Sequence, residues 1–149
     1  MAVDKTLIGK KGPAYWIEIE KGHIRRFADA VGDESPLYTD EDYAKQTPFQ
    51  GLITPPTFAT ILTMGQPSPL DDVPGFELRR VLHGEQDYQF HQDMRPGDKY
   101  RVQSEIKDVY DRHGSSGRMS LIIIETVASD LQENPVVTAQ STVVYRQSL

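Results

Sequence analysis

The sequence predicts an α+β domain in which a long antiparallel sheet wraps around one buried helix. Three observations carry this expectation. Helical periodicity is confined to the front of the chain, a period of two sets in from Arg79 onward, and between them lies a mostly apolar stretch bracketed by proline and glycine. At 149 residues the chain is the size of one ordinary domain and can bury a substantial core without outside staples. One domain over residues 1–149 is therefore expected, with no repeat, low-complexity segment or linker to divide it.

The elements follow in order. A strand is expected near "AYWIEI". In "KGHIRRFADAVG" the residues Ile24, Phe27, Ala28 and Val31 recur at i, i+3, i+4 and i+7, one apolar helical stripe, and Gly32 supplies the stop. Asp40 is placed to cap a brief helical turn through Tyr43 and Ala44, and Pro48 with Gly51 marks a loop. "TPPTFATILTMGQP" begins with Thr54 and Pro55 and stops near Gly65, which predicts a buried helix. In "RVLHGEQDYQFH" alternation puts Leu82, Tyr88 and Phe90 on one face and Val81, His83, Glu85, Asp87, Gln89 and His91 on the other. "KYRVQSEIKDVY" directs Tyr100, Val102, Ile106 and Tyr110 inward, and "RMSLIIIETVAS" and "PVVTAQSTVVYR" are β-branched runs suited to central strands. "RPGD", "DRHGSSGR" and "LQENP" read as the turns between them.

Composition excludes several functions. Lys+Arg 16 against Asp+Glu 22 gives a formal charge of -6, and no basic run interleaved with aromatics provides a footprint for nucleic acid. The absence of cysteine removes thiolate nucleophiles, thiolate metal sites and disulfides. The first residues lack the apolar stretch of a signal peptide, and no apolar run approaches the roughly 20 residues that span a bilayer. A cytoplasmic protein with no membrane partner is expected. His83 and His91 share a strand face by strict alternation, but eight residues at about 3.3 Å each set them about 26 Å apart, too far to ligate one metal. No metal or other cofactor is expected.

Three stretches carry a family resemblance. "RRFADAVGDESPLYTDEDYA" resembles the helix and loop bearing the motif G-D-x-N-P-[LIV]-H of the MaoC-like, (R)-specific enoyl-thioester hydratases and dehydratases. "GLITPPTFATIL" is similar to the entry into that group's central helix. "VLHGEQDYQFHQDMRPGDKYRVQSEI" followed by "DRHG" resembles the strand pair of its N-terminal-type branch, related to the fungal fatty-acid-synthase dehydratase domain and to the HadA-type subunit of mycolic-acid dehydratases. The resemblance implies the hot-dog fold and acyl-CoA or acyl-carrier-protein thioesters as substrates in reversible hydration of 2-enoyl to (R)-3-hydroxyacyl groups, and the unpaired groups of a long edge strand in such a sheet predict a dimer. It covers nearly the whole chain.

The departures from the motif define the site expected here. Asp33 is kept, Ser35 stands where the family has asparagine, and Tyr38 stands where it has histidine. In the family's catalytic members the aspartate and histidine handle the water, because a group poised near neutral pH can take a proton and return it within one cycle. Tyrosine, with an ordinary pKa of about 10, is a poor base there although it donates well. The resemblance thus implies an acyl-binding subunit with a degenerate motif, paired as a heterodimer with an intact MaoC-like chain or as a homodimer. The alternatives are a self-sufficient hydratase or thioesterase using Asp33, and a non-catalytic acyl-CoA-binding module.

The remaining candidates bind substrate. The start of the Thr54 helix should direct N–H groups toward a thioester carbonyl. Pro55 and Pro56 have none to offer, so Thr57 and Phe58 are the first helical donors, with Gly51 or Leu52 as loop alternatives. His83 or His91 is a candidate for lining the substrate groove. Each has a plainer reading beside it: Asp33 as a turn former after a helix stop, the Thr54 segment as an ordinary buried helix, the histidines as half-exposed strand residues.

Overall fold

The computed structural model describes residues 2–114 and 117–147. Among these residues, five antiparallel strands form one sheet: β1 (Tyr15–Glu18), β2 (Val81–Phe90), β3 (Lys99–Gly114), β4 (Gly117–Ser129) and β5 (Pro135–Arg146), in the spatial order β1-β3-β4-β5-β2. Helix α1 spans Lys21–Val31, and α2 is a short turn over Glu41–Lys45. Gly32 ends α1 at φ 71, the left-handed conformation that suits a residue without Cβ. Asp40 caps α2 through its side chain, which accepts from the Tyr43 N–H.

The inner face of the sheet reads row by row. Phe90, Val137, Ala128 and Val102 form one row, and Tyr88, Ala139, Thr126 and Ser104 the next. Gln86, Ser141, Ile124 and Ile106 follow, and then His83, Val143, Ile122 and Val109. Val137, Ala128 and Val102 of the first row belong to a core cluster with Ile19, Ile24, Phe58, Leu62, Met94 and Tyr100, while Ile106, Val109 and Ile122 belong to a second with Leu70 and Tyr145. The row carrying Ser104 and Thr126 lies where these two clusters separate.

Two bulges decide which residues face inward. A bulge between His83 and Glu85 shifts the β2 register by one residue, and a Cβ at Gly84 would sit 3.0 Å from the Thr142 carbonyl oxygen, so glycine fits the tight approach. Strict alternation fails there. His83 joins Tyr88 and Phe90 on the inner face, Leu82 turns to the other face, and His91, beyond the strand end, no longer shares a face with His83. A second bulge between Ile106 and Asp108 makes Val109 the inward residue in place of Tyr110, which instead lies half-buried beneath the Arg112 guanidinium. "DRHG" continues β3 rather than turning, and Ser115 and Ser116, the centre of that expected turn, lie outside the described residues.

The buried helical segment differs most from expectation. It is a seven-residue 3-10 helix, Pro56–Leu62, rather than an α-helix running to Gly65. Prolines in its first turn, β-branched threonines every third residue and Gly65 at φ 70 all disfavour longer α-helical hydrogen bonding. Its apolar side is nevertheless the centre of the core: Phe58, Ala59 and Leu62 are buried, and Phe58 meets Phe27 of α1 edge to face at 5.4 Å.

Tyrosines tie the layers together. The Tyr15 hydroxyl donates to the Leu62 carbonyl, and burial pushes its pKa up to about 12. Tyr100 donates to Asp98 Oδ2 at 2.6 Å, and burial followed by the Asp98 carboxylate pushes it up further still. A tyrosine whose folded pKa is raised binds its proton more tightly in the native state, so its contribution is complete below about pH 10 and is lost as pH rises through the folded value. The melting temperature is expected to stay level from about pH 8 to 9.5 and to fall steeply above about pH 10. Tyr100→Phe should reduce that alkaline fall, and an equally steep decline in the variant would contradict the assignment.

Candidate functional site

A groove of about 940 Å³ lies between the 3-10 segment and the inner face of the sheet and is closed at one side by Phe27 and Val31 of α1. Its roof owes its character to the helix type. With three residues per turn, Thr57, Thr60 and Thr63 eclipse one another along one side, and all three line the groove. Its floor is the set of middle rows: Ser104, Thr126, Tyr88, Gln86, Ser141, Ile124, His83 and Val143.

Polar groups on the floor bond to one another. Ser104 Oγ and Thr126 Oγ1 are 2.7 Å apart and buried. Ser141 Oγ donates to Gln86 Oε1 at 2.7 Å, and Gln86 Nε2 donates to the Gln140 carbonyl at 3.3 Å. Tyr88 and Thr60 line the groove from floor and roof, and burial raises the Tyr88 pKa. His83 enters the lining because of the Gly84 bulge.

The degenerate motif sits beyond the rim, just past Val31. Asp33 caps the end of α1, its N–H donating to the Ala28 carbonyl at 2.9 Å, and its Oδ1 accepts the Ser35 N–H at 3.1 Å. It is thus a turn former, half-buried, with its second carboxylate oxygen available. Ser35 precedes a short 3-10 turn, Pro36–Tyr38, without capping it by its side chain. Tyr38 is half-buried and packs against the core. Burial, and then the Asp33 carboxylate, push its pKa upward, so the hydroxyl is a donor across the physiological range. Asp33 and Tyr38 are near enough for the charge of one to act on the other.

The substrate-binding candidates divide. Thr57 and His83 line the groove, whereas Phe58 turns into the core and its N–H donates to the Pro55 carbonyl at 3.0 Å. Phe58 is therefore removed as a backbone donor, and the 3-10 segment, barely two turns long, offers little dipole; the Thr57 N–H remains. Leu52 is buried, and a Cβ at Gly51 would lie 3.5 Å from Arg95 Nη1, so both belong to the loop packed beside Arg95 rather than to the groove lining. His91 points away, its Nε2 3.0 Å from Thr138 Oγ1.

Sequence reasoning missed the hydroxyl lining. Its signals were present: threonine at 54, 57, 60 and 63 is a period of three, and Ser104 and Thr126 occupy inward positions of otherwise apolar alternations.

Comparison with known proteins places these features. Residues 6–139 match the model of the FAS1-like dehydratase domain region. A UPF0336 protein of Saccharopolyspora erythraea is 34% identical over 98% of this chain and 93% of its own. Among solved structures, the HadBC (3R-hydroxyacyl-ACP dehydratase) complex of Mycobacterium tuberculosis superposes with a TM-score of 0.79 at 23% identity, covering 97% of this chain and 99% of that one. The ChsH1-ChsH2 complex of the same organism gives 0.77 at 18% identity, over 93% and 85%. The hot-dog arrangement is thus shared with dehydratases of MaoC-like type. No helix among the described residues is long and apolar enough to cross a membrane.

Proposed function

Since the chain belongs to the FAS1-like dehydratase family, we propose that it is the acyl-binding component of an enoyl-thioester hydratase/dehydratase whose water-activating aspartate and histidine come from a partner chain. The observation that carries this reading is the pairing of Asp33 with a tyrosine whose acidity is lowered by burial and by that same carboxylate. Such a pair holds a proton at Tyr38 and cannot cycle one through water near neutral pH. In the forward reaction a base removes a proton from water, the oxygen bonds to C3 of the enoyl group, and a proton is returned to C2. This chain's part is to hold the acyl group in the groove and to present the Thr57 N–H and the Tyr38 hydroxyl as donors. Acyl-CoA and acyl-carrier-protein thioesters present the same acyl group to such a groove.

Two further features support partnership. The neighbours HadBC and ChsH1-ChsH2 are both two-component complexes. Strand β2, ten residues long, forms one edge of the sheet and exposes Leu82 and Phe90, which is where a second chain would continue the ladder. A cytoplasmic location accords with this chemistry.

Thr60→Trp tests the site. A bulky ring on the roof opposite Tyr88 should fill the groove and weaken binding of an acyl-CoA analogue at least about tenfold in calorimetry, with the melting temperature changed by only a few degrees. Unchanged affinity in a folded variant would place the acyl group elsewhere.

A further inference from the structure

The groove floor contains a hydrogen-bonding capacity that a plain hydrocarbon chain does not use. Ser104 and Thr126 are 5% and 2% exposed, stand opposite each other on β3 and β4, and bond to each other at 2.7 Å. Two hydroxyls carry two protons, and their mutual bond uses one. The other O–H has no acceptor among the described residues. The neighbouring pair on the floor differs, because the Ser141 hydroxyl and both the oxygen and the nitrogen of the Gln86 amide are engaged. In the same row, beyond Ala139, comes Tyr88, which lines the groove together with Ser104, Thr126 and Thr60 of the roof. Ser104, Thr126, Tyr88 and Thr60 thus bring hydroxyls into a groove whose lining also includes Phe27, Ile124 and Val143.

We propose that this row is a specificity subsite for an oxygen substituent, hydroxyl or keto, on the acyl chain beyond the reacting carbons, so that the component binds oxygenated acyl thioesters in preference to saturated ones. The inference rests on the acyl-thioester reading given above. A chain oxygen over this row accepts the spare O–H of the Ser104–Thr126 pair, and a hydroxyl there also donates toward Tyr88 or Thr60. A methylene in the same place strips water from that O–H and returns no partner, which sites built to hydrogen-bond a substituent use to reject analogues lacking it.

The test is calorimetry of the purified chain with octanoyl-CoA and with its isomers hydroxylated at C5 to C8. At least one isomer is expected to bind about tenfold or more tightly than octanoyl-CoA. The double variant Ser104→Ala with Thr126→Val replaces both partners by apolar groups of similar shape, a change close to neutral for stability. It should abolish the preference while octanoyl-CoA binds at least as well as before. Thr126→Ser keeps the hydroxyl and should keep the preference. Octanoyl-CoA binding as tightly as every isomer, or a preference that survives the double variant, overturns the subsite. Failure of all these thioesters to bind overturns the acyl-thioester reading beneath it.

Discussion

Turnover of a crotonyl thioester by the isolated chain should rise by about 10²-fold or more when Ser35→Asn and Tyr38→His are introduced together, since one positioned general acid-base group contributes about 10²- to 10⁴-fold. The geometry favours the exchange. Tyr38 ends the Pro36–Tyr38 turn half-buried, close enough to feel the Asp33 charge, and a smaller imidazole there leaves room for water beside the carboxylate. Asp33 is already oriented by the helix end and by the Ser35 N–H, so the dyad would gain its proton carrier without rebuilding the loop. Asparagine at 35 adds an amide where serine offers only a short hydroxyl. Steady-state kinetics on the parent, the two single variants and the double variant checks this. A double variant no faster than the parent would mean that the acyl group does not reach this loop.

Phe58→Ala is expected to destabilise the fold by about 3–5 kcal/mol, a large share of the roughly 5–15 kcal/mol typical of a native domain. Phe58 is 1% exposed and packs edge to face on Phe27, so its removal opens a cavity between α1 and the 3-10 segment and loses an aromatic contact. This ring anchors the segment beneath the groove roof together with Ala59 and Leu62. Denaturant unfolding would therefore show both a lower midpoint and weaker acyl-thioester binding, because Thr57 and Thr60 are positioned by the same element. A loss under about 1 kcal/mol would contradict the role given to Phe58.

What the sequence disclosed followed from patterns with fixed periods. The stripe Ile24, Phe27 and Ala28 and the alternation through Tyr100, Val102 and Ile106 announced the helix and the sheet, because each period leaves only one face to bury. The errors came where a local feature interrupts a period. One extra residue at Gly84 and another near Lys107 reversed the facing of His83 and of Tyr110, and alternation alone carries no mark of a bulge beyond the glycine itself. The ends of the Thr54 segment predict a longer helix, whereas its threonines at every third position fit the tighter 3-10 turn. Of the residues expected at the site, Thr57 and His83 line the groove, while Asp33, Ser35 and Tyr38 lie beyond its rim. The Ser104–Thr126 pair escaped notice because it joins residues from two strands, a relation that only the register supplies.

The central claim is that this chain binds the acyl thioester and depends on a partner for water activation. The most direct measurement is hydration of a crotonyl thioester by the purified chain, alone and mixed with a MaoC-like chain carrying an intact G-D-x-N-P-x-H motif from the same source. The account predicts negligible turnover alone and robust turnover in the mixture. Ordinary enzymatic rates from the chain by itself, abolished by Asp33→Ala, would contradict it.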